Sequence, residues 1–257
     1  MPEFCTAERD GHILTVTMNR PERMNALHSP SHFEMDEIFN DFEKDPDLWV
    51  AIVTGAGDRA FSAGNDLKWQ AEGKKTEPPA SGFAGLAHRF NMQKPIIAAV
   101  NGLAMGGGFE VALACDIIIA AENAFFALPE PRVGLAALAG GLHRLSRQIP
   151  MKQAMGMILT GRRVMAAEGY ELGFVTEVVP EGGALEGARR WAELISECSP
   201  VSIRTSKDVV LRGQQYASAD EAIAANYQSV EDMRNSLDFI EGPLAFSEKR
   251  PPDWKGR

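Results

Sequence analysis

The chain has 257 residues, 45% hydrophobic and 24% charged, the make-up of an ordinary globular protein of one large domain, or one domain with an appendage. A formal net charge of −9 argues against general nucleic-acid binding, which needs a basic face, and no apolar run of eighteen residues or Lys/Arg cluster points to a membrane. Cys5, Cys115 and Cys198 are odd in number and far apart, and the start Met1-Pro2-Glu3-Phe4-Cys5 is unlike a secretory signal, so a reducing cytoplasm is expected.

In chain order, Ile13–Met18 reads as a strand closed by the turn-former Asn19-Arg20-Pro21. Residues 31–44 carry Phe33, Ile38, Phe39 and Phe42 at mostly helical spacing, with Ser29 or Ser31 as cap. Buried strands are expected over 49–54, 95–100 and 115–120, a short one at Phe125–Ala127, and a last one over 174–179 after a helix-rich stretch from 138 to 172. From about Gly182 the strands stop, and 184–197, 200–216 and 220–247 all read as helices. An α/β core with a helical C-terminal appendage follows, its apolar helix faces suited to packing on another subunit. The polar, Pro/Gly-rich stretch 68–82 reads as a mobile loop or lid.

Two segments carry most of the chemical information. Gly106-Gly107-Gly108 follows an apolar run and opens a helix-like stretch containing Glu110, so it is either a close-packed turn or a backbone anion site at a helix N-terminus. Glu110 is correspondingly either a dipole-compensating carboxylate or a reacting one. Glu130 stands between Pro129 and Pro131, a rigid loop position, and the apolar Phe125, Phe126, Leu128, Val133, Leu135 and Leu138 would raise its pKa if they enclosed it. A second small-residue turn, Phe61-Ser62-Ala63-Gly64-Asn65-Asp66, could donate another N–H, with Asp66 capping the helix that follows. Two carboxylates beside such donors suit addition of water to an activated carbonyl compound, or proton movement within it.

Other motifs do not hold together. Gly55-Ala56-Gly57 lacks the helix that a dinucleotide fingerprint needs, and Ser62 has no histidine late enough in the chain for an α/β-hydrolase triad. The five histidines show no metal spacing, and His28 and His32, four apart, read as surface helix residues.

Taken together, Asn19-Arg20-Pro21, Asn25-Ala26-Leu27, Phe61 to Asp66, Ala99-Val100-Asn101-Gly102, Gly106 to Glu110, Cys115-Asp116, Phe126 to Glu130, Val133-Gly134 and Phe246 to Arg250 resemble the crotonase (enoyl-CoA hydratase/isomerase) superfamily from Leu14 onward. The resemblance implies an α/β spiral of ββα units over residues 1–198 and a helical trimerisation region over 199–257, assembled as a homotrimer or dimer of trimers. It implies Ala63 and Gly107 as N–H donors to a thioester oxygen, Glu110 and Glu130 as the acid–base pair, and reversible hydration of a trans-2-enoyl-CoA. Double-bond isomerisation, dehydration of a specialised hydroxyacyl-CoA, or acyl-CoA or RNA binding with vestigial activity are the alternatives. CoA enters as part of the substrate, with no separate cofactor and no metal, met by Arg23, Ala26, Asp66, Leu67, Lys68 and Trp69, with Lys249 contributed from the C-terminal region. One departure from the family pattern is Ala137-Leu138-Ala139-Gly140-Gly141, where Leu138 replaces a glycine whose N–H positions the water.

Overall fold

The computed structural model describes residues 3–257, so the part of the N-terminal reading that rests on Met1 and Pro2 lies outside the described residues. The chain begins with a hairpin of which only the second strand is legible: β1 (Cys5–Asp10) pairs antiparallel with β2 (Ile13–Met18). Most of β1 is exposed and its last three residues are charged, as suits an edge strand, so it carries no apolar alternation to read. Then come α1 (Ser29–Lys44), β3 (Val50–Gly55), β4 (Ala60–Ser62), α2 (Leu67–Ala71), β5 (Ile96–Val100), β6 (Leu103–Met105), α3 (Gly107–Ala114), β7 (Ile117–Ala121) and β8 (Phe125–Ala127).

These strands alternate between two sheets. β3, β5 and β7 run parallel in a six-stranded sheet of order β1-β2-β3-β5-β7-β10, where β10 is Glu177–Val179, while β4, β6 and β8 run parallel in a four-stranded sheet of order β4-β6-β8-β9, where β9 is Val164–Met165. Each pair of strands therefore contributes one strand to each sheet before the chain crosses over, which is the expected spiral of ββα units. β3 and β5 are buried along their whole length because both faces of that sheet are covered, and each fully buried Val or Ile contributes about 1.5–3 kcal/mol.

The second half supplies α4 (Gly141–Gln148), α5 (Met151–Thr160), β9 (Val164–Met165), α6 (Ala166–Leu172), β10 (Glu177–Val179) and α7 (Ala184–Ser196). The small buried face of α7 (Ala184, Gly187, Ala188, Ala192) lets that helix lie directly on β3, β5 and β7. α8 (Pro200–Gly213) is tied to the core by Lys207, whose Nζ donates to Asp116 Oδ2 at 2.7 Å and to the Lys94 carbonyl at 2.9 Å. The single helix expected over 220–247 is three: α9 (Ala219–Ala224), α10 (Gln228–Arg234) and α11 (Leu237–Glu248). Ser236 starts the last of them by accepting the Phe239 N–H at 3.1 Å, a capping signal that the apolar periodicity conceals. Among the described residues no helix is long and apolar enough to cross a membrane.

Candidate active site

The site lies where the three parallel strands of the smaller sheet end. β4 pairs with β6 and β6 with β8, so the turns leaving their C-terminal ends are neighbours in space. The turn after β4 and the turn after β6 touch through Gly64, at φ +84. A Cβ there would stand 2.7 Å from the Gly107 nitrogen and 2.6 Å from the Met105 carbonyl. The Gly106 N–H donates to Ala127 O at 2.9 Å, which fixes the glycine turn against the end of β8, three residues before Glu130.

Gly107 is the first residue of α3, so its N–H has no acceptor within the helix. The second donor differs from the one expected. The Ala63 N–H is spent on the Met24 carbonyl at 2.9 Å and Ala63 does not line the cavity described below, whereas the Asn65 N–H has no acceptor among the described residues and Asn65 does line it. The reason is long-range pairing. Leu27 donates to Gly64 O at 2.7 Å and accepts from the Asp66 N–H at 2.8 Å, a parallel bridge that skips the Asn65 amide and leaves it facing outward. Buried Asn25 holds this arrangement, donating to the carbonyls of Ala56 and Ala60 and accepting from the Arg20 N–H.

Glu110 and Glu130 both face the same cavity of about 620 Å³, which Gly107, Asn65, His32, Phe83 and Leu138 also line. Glu110, in the first turn of α3, is 4% exposed, and its Oε1 accepts the N–H of Gly141 at 2.8 Å. Burial, reinforced by the Glu130 charge, pushes its pKa up to about 7 against the opposing N–H groups of Gly141 and Ala139. Glu130 opens a short 3-10 turn (Glu130–Val133); burial raises its pKa as well, and its Oε2 is buried without a partner among the described residues. Phe109, Phe126 and Phe174, with ring centroids 5.1–5.2 Å apart, fix α3 against β8 and so fix the two carboxylates relative to each other. Among the described residues no group of three His, Cys, Asp or Glu side chains is arranged to hold a metal ion.

Leu138 lines the cavity with an exposed side chain, but its N–H donates to Ala136 O at 2.9 Å and is not free to position water. The residues expected to meet CoA stay outside the cavity within one chain. Asp66 is buried, accepting from the Trp69 N–H and pairing with Arg20 at 3.0 Å, and these contacts hold its pKa down against the effect of burial; its carboxylate is therefore occupied. The Ala26 carbonyl accepts from Arg20. Trp69 packs edge-on against His28, lies beneath Lys74 and donates to Lys75 O at 3.2 Å. Leu67 faces a separate shallow depression with Val133 and Leu135, and Arg23 and Lys68 are exposed. Lys249 is the left-handed C-cap of α11, at φ +53, and does not line the cavity. The loop read as mobile is anchored, because Ser29 Oγ donates to Lys75 O and accepts from the Glu77 N–H; residues 73–78 form part of the cavity wall.

His28 and His32 are not surface residues. Both are buried, His28 as the N-cap of α1 and His32 on the helix face that also carries Met35, Phe39 and Phe42, while Phe33 is 48% exposed. The stripe 28, 32, 35, 39, 42 is itself helical in period and was the signal that could have placed them.

Two sheets sharing alternate strands, with a carboxylate-lined cavity at the strand ends, define a crotonase fold. The chain belongs to the enoyl-CoA hydratase/isomerase family, whose sequence model matches residues 8–257. It is 44% identical to a carnitinyl-CoA dehydratase of Escherichia coli (strain SMS-3-5 / SECEC) over 265 aligned positions, with both chains fully covered. Its structure is similar to that of an enoyl-CoA hydratase from Mycobacterium tuberculosis H37Rv (TM-score 0.94, 36% identity, both chains fully covered). It also resembles a carnitinyl-CoA hydratase from Mycobacterium avium (TM-score 0.79, 39% identity, 99% of each chain).

Proposed function

We propose that this protein reversibly adds water across the double bond of a trans-2-enoyl-CoA thioester. The observation that carries the reading is that two carboxylates of raised pKa and two backbone N–H groups without an acceptor among the described residues converge on one cavity. Attack of water at C3 sends charge to the thioester oxygen, and the N–H groups of Asn65 and Gly107 are placed to stabilise that enolate; one such donor is typically worth about 3 kcal/mol, around a hundredfold in rate. Glu110, its Oε1 oriented by Gly141, takes the proton of the attacking water. Glu130, whose raised pKa favours the acid form, delivers a proton to C2, and the roles reverse for dehydration. The acid–base pair needs no cofactor beyond the CoA carried by the substrate.

The relatives named carnitinyl-CoA dehydratase favour the dehydration direction on a functionalised acyl group as the second reading. The same two carboxylates would carry it. Arg23, Ala26 and Lys68 flank the turn that holds Asn65, where the CoA moiety would leave the cavity. Ile223, Ile240 and Phe246, between 65% and 88% exposed on the C-terminal helices, suit burial in a homotrimer or a dimer of trimers, and Lys249 would reach substrate only from a neighbouring subunit. Light scattering tests the assembly, and a monomer would remove it.

The test of the chemistry is ultraviolet loss of the conjugated thioester on mixing with crotonyl-CoA, with Glu110→Gln and Glu130→Gln alongside. Rapid loss in the wild type and none in either variant supports hydration by this pair. Product free of oxygen-18 at C3 after reaction in labelled water would replace hydration by isomerisation.

A further inference from the structure

Four buried polar side-chain atoms on the cavity wall have no hydrogen-bond partner among the described residues: Glu130 Oε2, Asn65 Oδ1, Thr76 Oγ1 and His32 Nε2. Orphaned polar atoms destabilise a fold, so a group of them in one cavity points to a ligand that completes them. Glu130 and Asn65 belong to the reacting end. His32 and Thr76 do not.

His32 is fully buried, and its Nδ1 accepts the N–H of Ala84 at 3.1 Å. The ring proton therefore sits on Nε2, which makes the unpartnered atom a donor of fixed direction. Burial lowers the pKa of His32 to about 4, with the neighbouring His28 adding to the effect, so the donor is uncharged at neutral pH. Ala84 adopts φ +57, a left-handed conformation rare for a residue with a side chain. That strained turn aims the Ala84 N–H at His32 and places the Phe83 ring, 4.4 Å from the His32 ring between centroids, against Gly107.

Thr76 belongs to the same wall. Ser29, one turn before His32 on α1, bonds to Lys75 O at 3.1 Å and to Glu77 N at 2.7 Å, so its hydroxyl clasps the loop on both sides of Thr76. The lysines here are paired, Lys74 with Glu72 at 2.7 Å and Lys75 with Glu77 at 3.3 Å. Around His32 and Thr76 the cavity thus offers neutral hydrogen-bonding groups among the apolar Phe83, Pro78 and Leu135, with both lysines paired.

Resting on the hydratase reading, we propose that His32 is a specificity-determining residue: its Nε2–H donates to an uncharged oxygen, a hydroxyl or carbonyl, carried by the acyl group at the end remote from the thioester. Thr76 Oγ1 completes the recognition of that oxygen. A purely alkyl acyl group leaves both atoms unpaired and is discriminated against.

The experiment compares kcat/KM for trans-2-enoyl-CoA esters of graded length with analogues in which a terminal hydroxyl replaces the terminal methyl. In the wild type the hydroxylated member is favoured about tenfold or more at one chain length. His32→Phe brings that ratio to about one, and His32→Gln, which keeps an N–H donor, retains part of it. Because the readout is a ratio of two substrates on one preparation, partial unfolding of a variant cancels. A ratio near one at every length in the wild type, or an unchanged ratio in His32→Phe, overturns the proposal. If no thioester is hydrated, the hydratase reading fails separately. The ratio of dissociation constants for the same pairs, by calorimetry on wild type and His32→Phe, then decides on His32.

Discussion

The reacting end of the cavity and its remote wall are held in opposite ways. At the reacting end, backbone does the holding: Gly141 fixes Glu110, the Leu27 bridge frees the Asn65 amide, and Gly106 leaves room for Glu130. At the remote wall, side chains and one strained turn do the holding, and two polar atoms have no partner among the described residues. Backbone geometry is insensitive to most substitutions, whereas side-chain identity changes freely. In the proposed reaction, a fold arranged this way would preserve one electrostatic site for a developing enolate while the acyl group it accepts could vary.

The contrast is broken most severely by neutralising the carboxylates. Glu130→Gln and Glu110→Gln are each expected to lower the rate of crotonyl-CoA hydration by about 10²–10⁴, with thioester binding retained by calorimetry. Gly106→Ala attacks the backbone support instead. Gly106 sits at φ +53, and an added Cβ would stand 2.9 Å from Glu130 Oε1, so a loss of about a hundredfold in kcat with a smaller change in KM is expected.

Stability is expected to move the other way. Folded Glu110 has its pKa near 7, above the roughly 4.3 of an unfolded glutamate, so the folded state binds the extra proton between these values and stability declines as pH rises across that window. Glu110→Gln should therefore be more stable than the wild type at pH 8, by on the order of 3 kcal/mol, with the advantage vanishing toward pH 4. Thermal melts at both pH values measure it, and an equal effect at both would refute the linkage.

The same group is expected to set the acid limb of the proposed hydration. kcat/KM should fall about tenfold per unit below pH 7 as Glu110 takes up its proton, and the limb should be lost in Glu110→Gln if residual activity can be followed. The smallest effect is expected from Leu138→Gly, which should change crotonyl-CoA turnover by less than about threefold, because the Leu138 N–H is already committed to Ala136. A larger gain would return that N–H to the reaction.

The core strands were legible because each is a short apolar run ended by a turn-former, and Ile13–Met18 and Phe125–Ala127 fall where the sequence places them. β1 and the breaks at 225–227 and 235–236 were not: an exposed edge strand has no apolar pattern, and a capping serine between two amphipathic helices does not interrupt one. His28 and His32 read as surface residues only while histidine counts as polar; the helical stripe that includes them is buried.

Sequence by itself determined the family, the alternation of strands and helices, and the segments that carry Glu110, Glu130 and the glycine turn, because these follow from local period, turn chemistry and motif. Only the tertiary structure decided which N–H groups stay free. Ala63 and Asn65 are two residues apart in one turn, and the partner that occupies one and spares the other comes from residues 24–27, nearly forty positions away. The orphaned nitrogen of His32 is a fact of the same kind, since a missing partner is defined by every segment that packs around it.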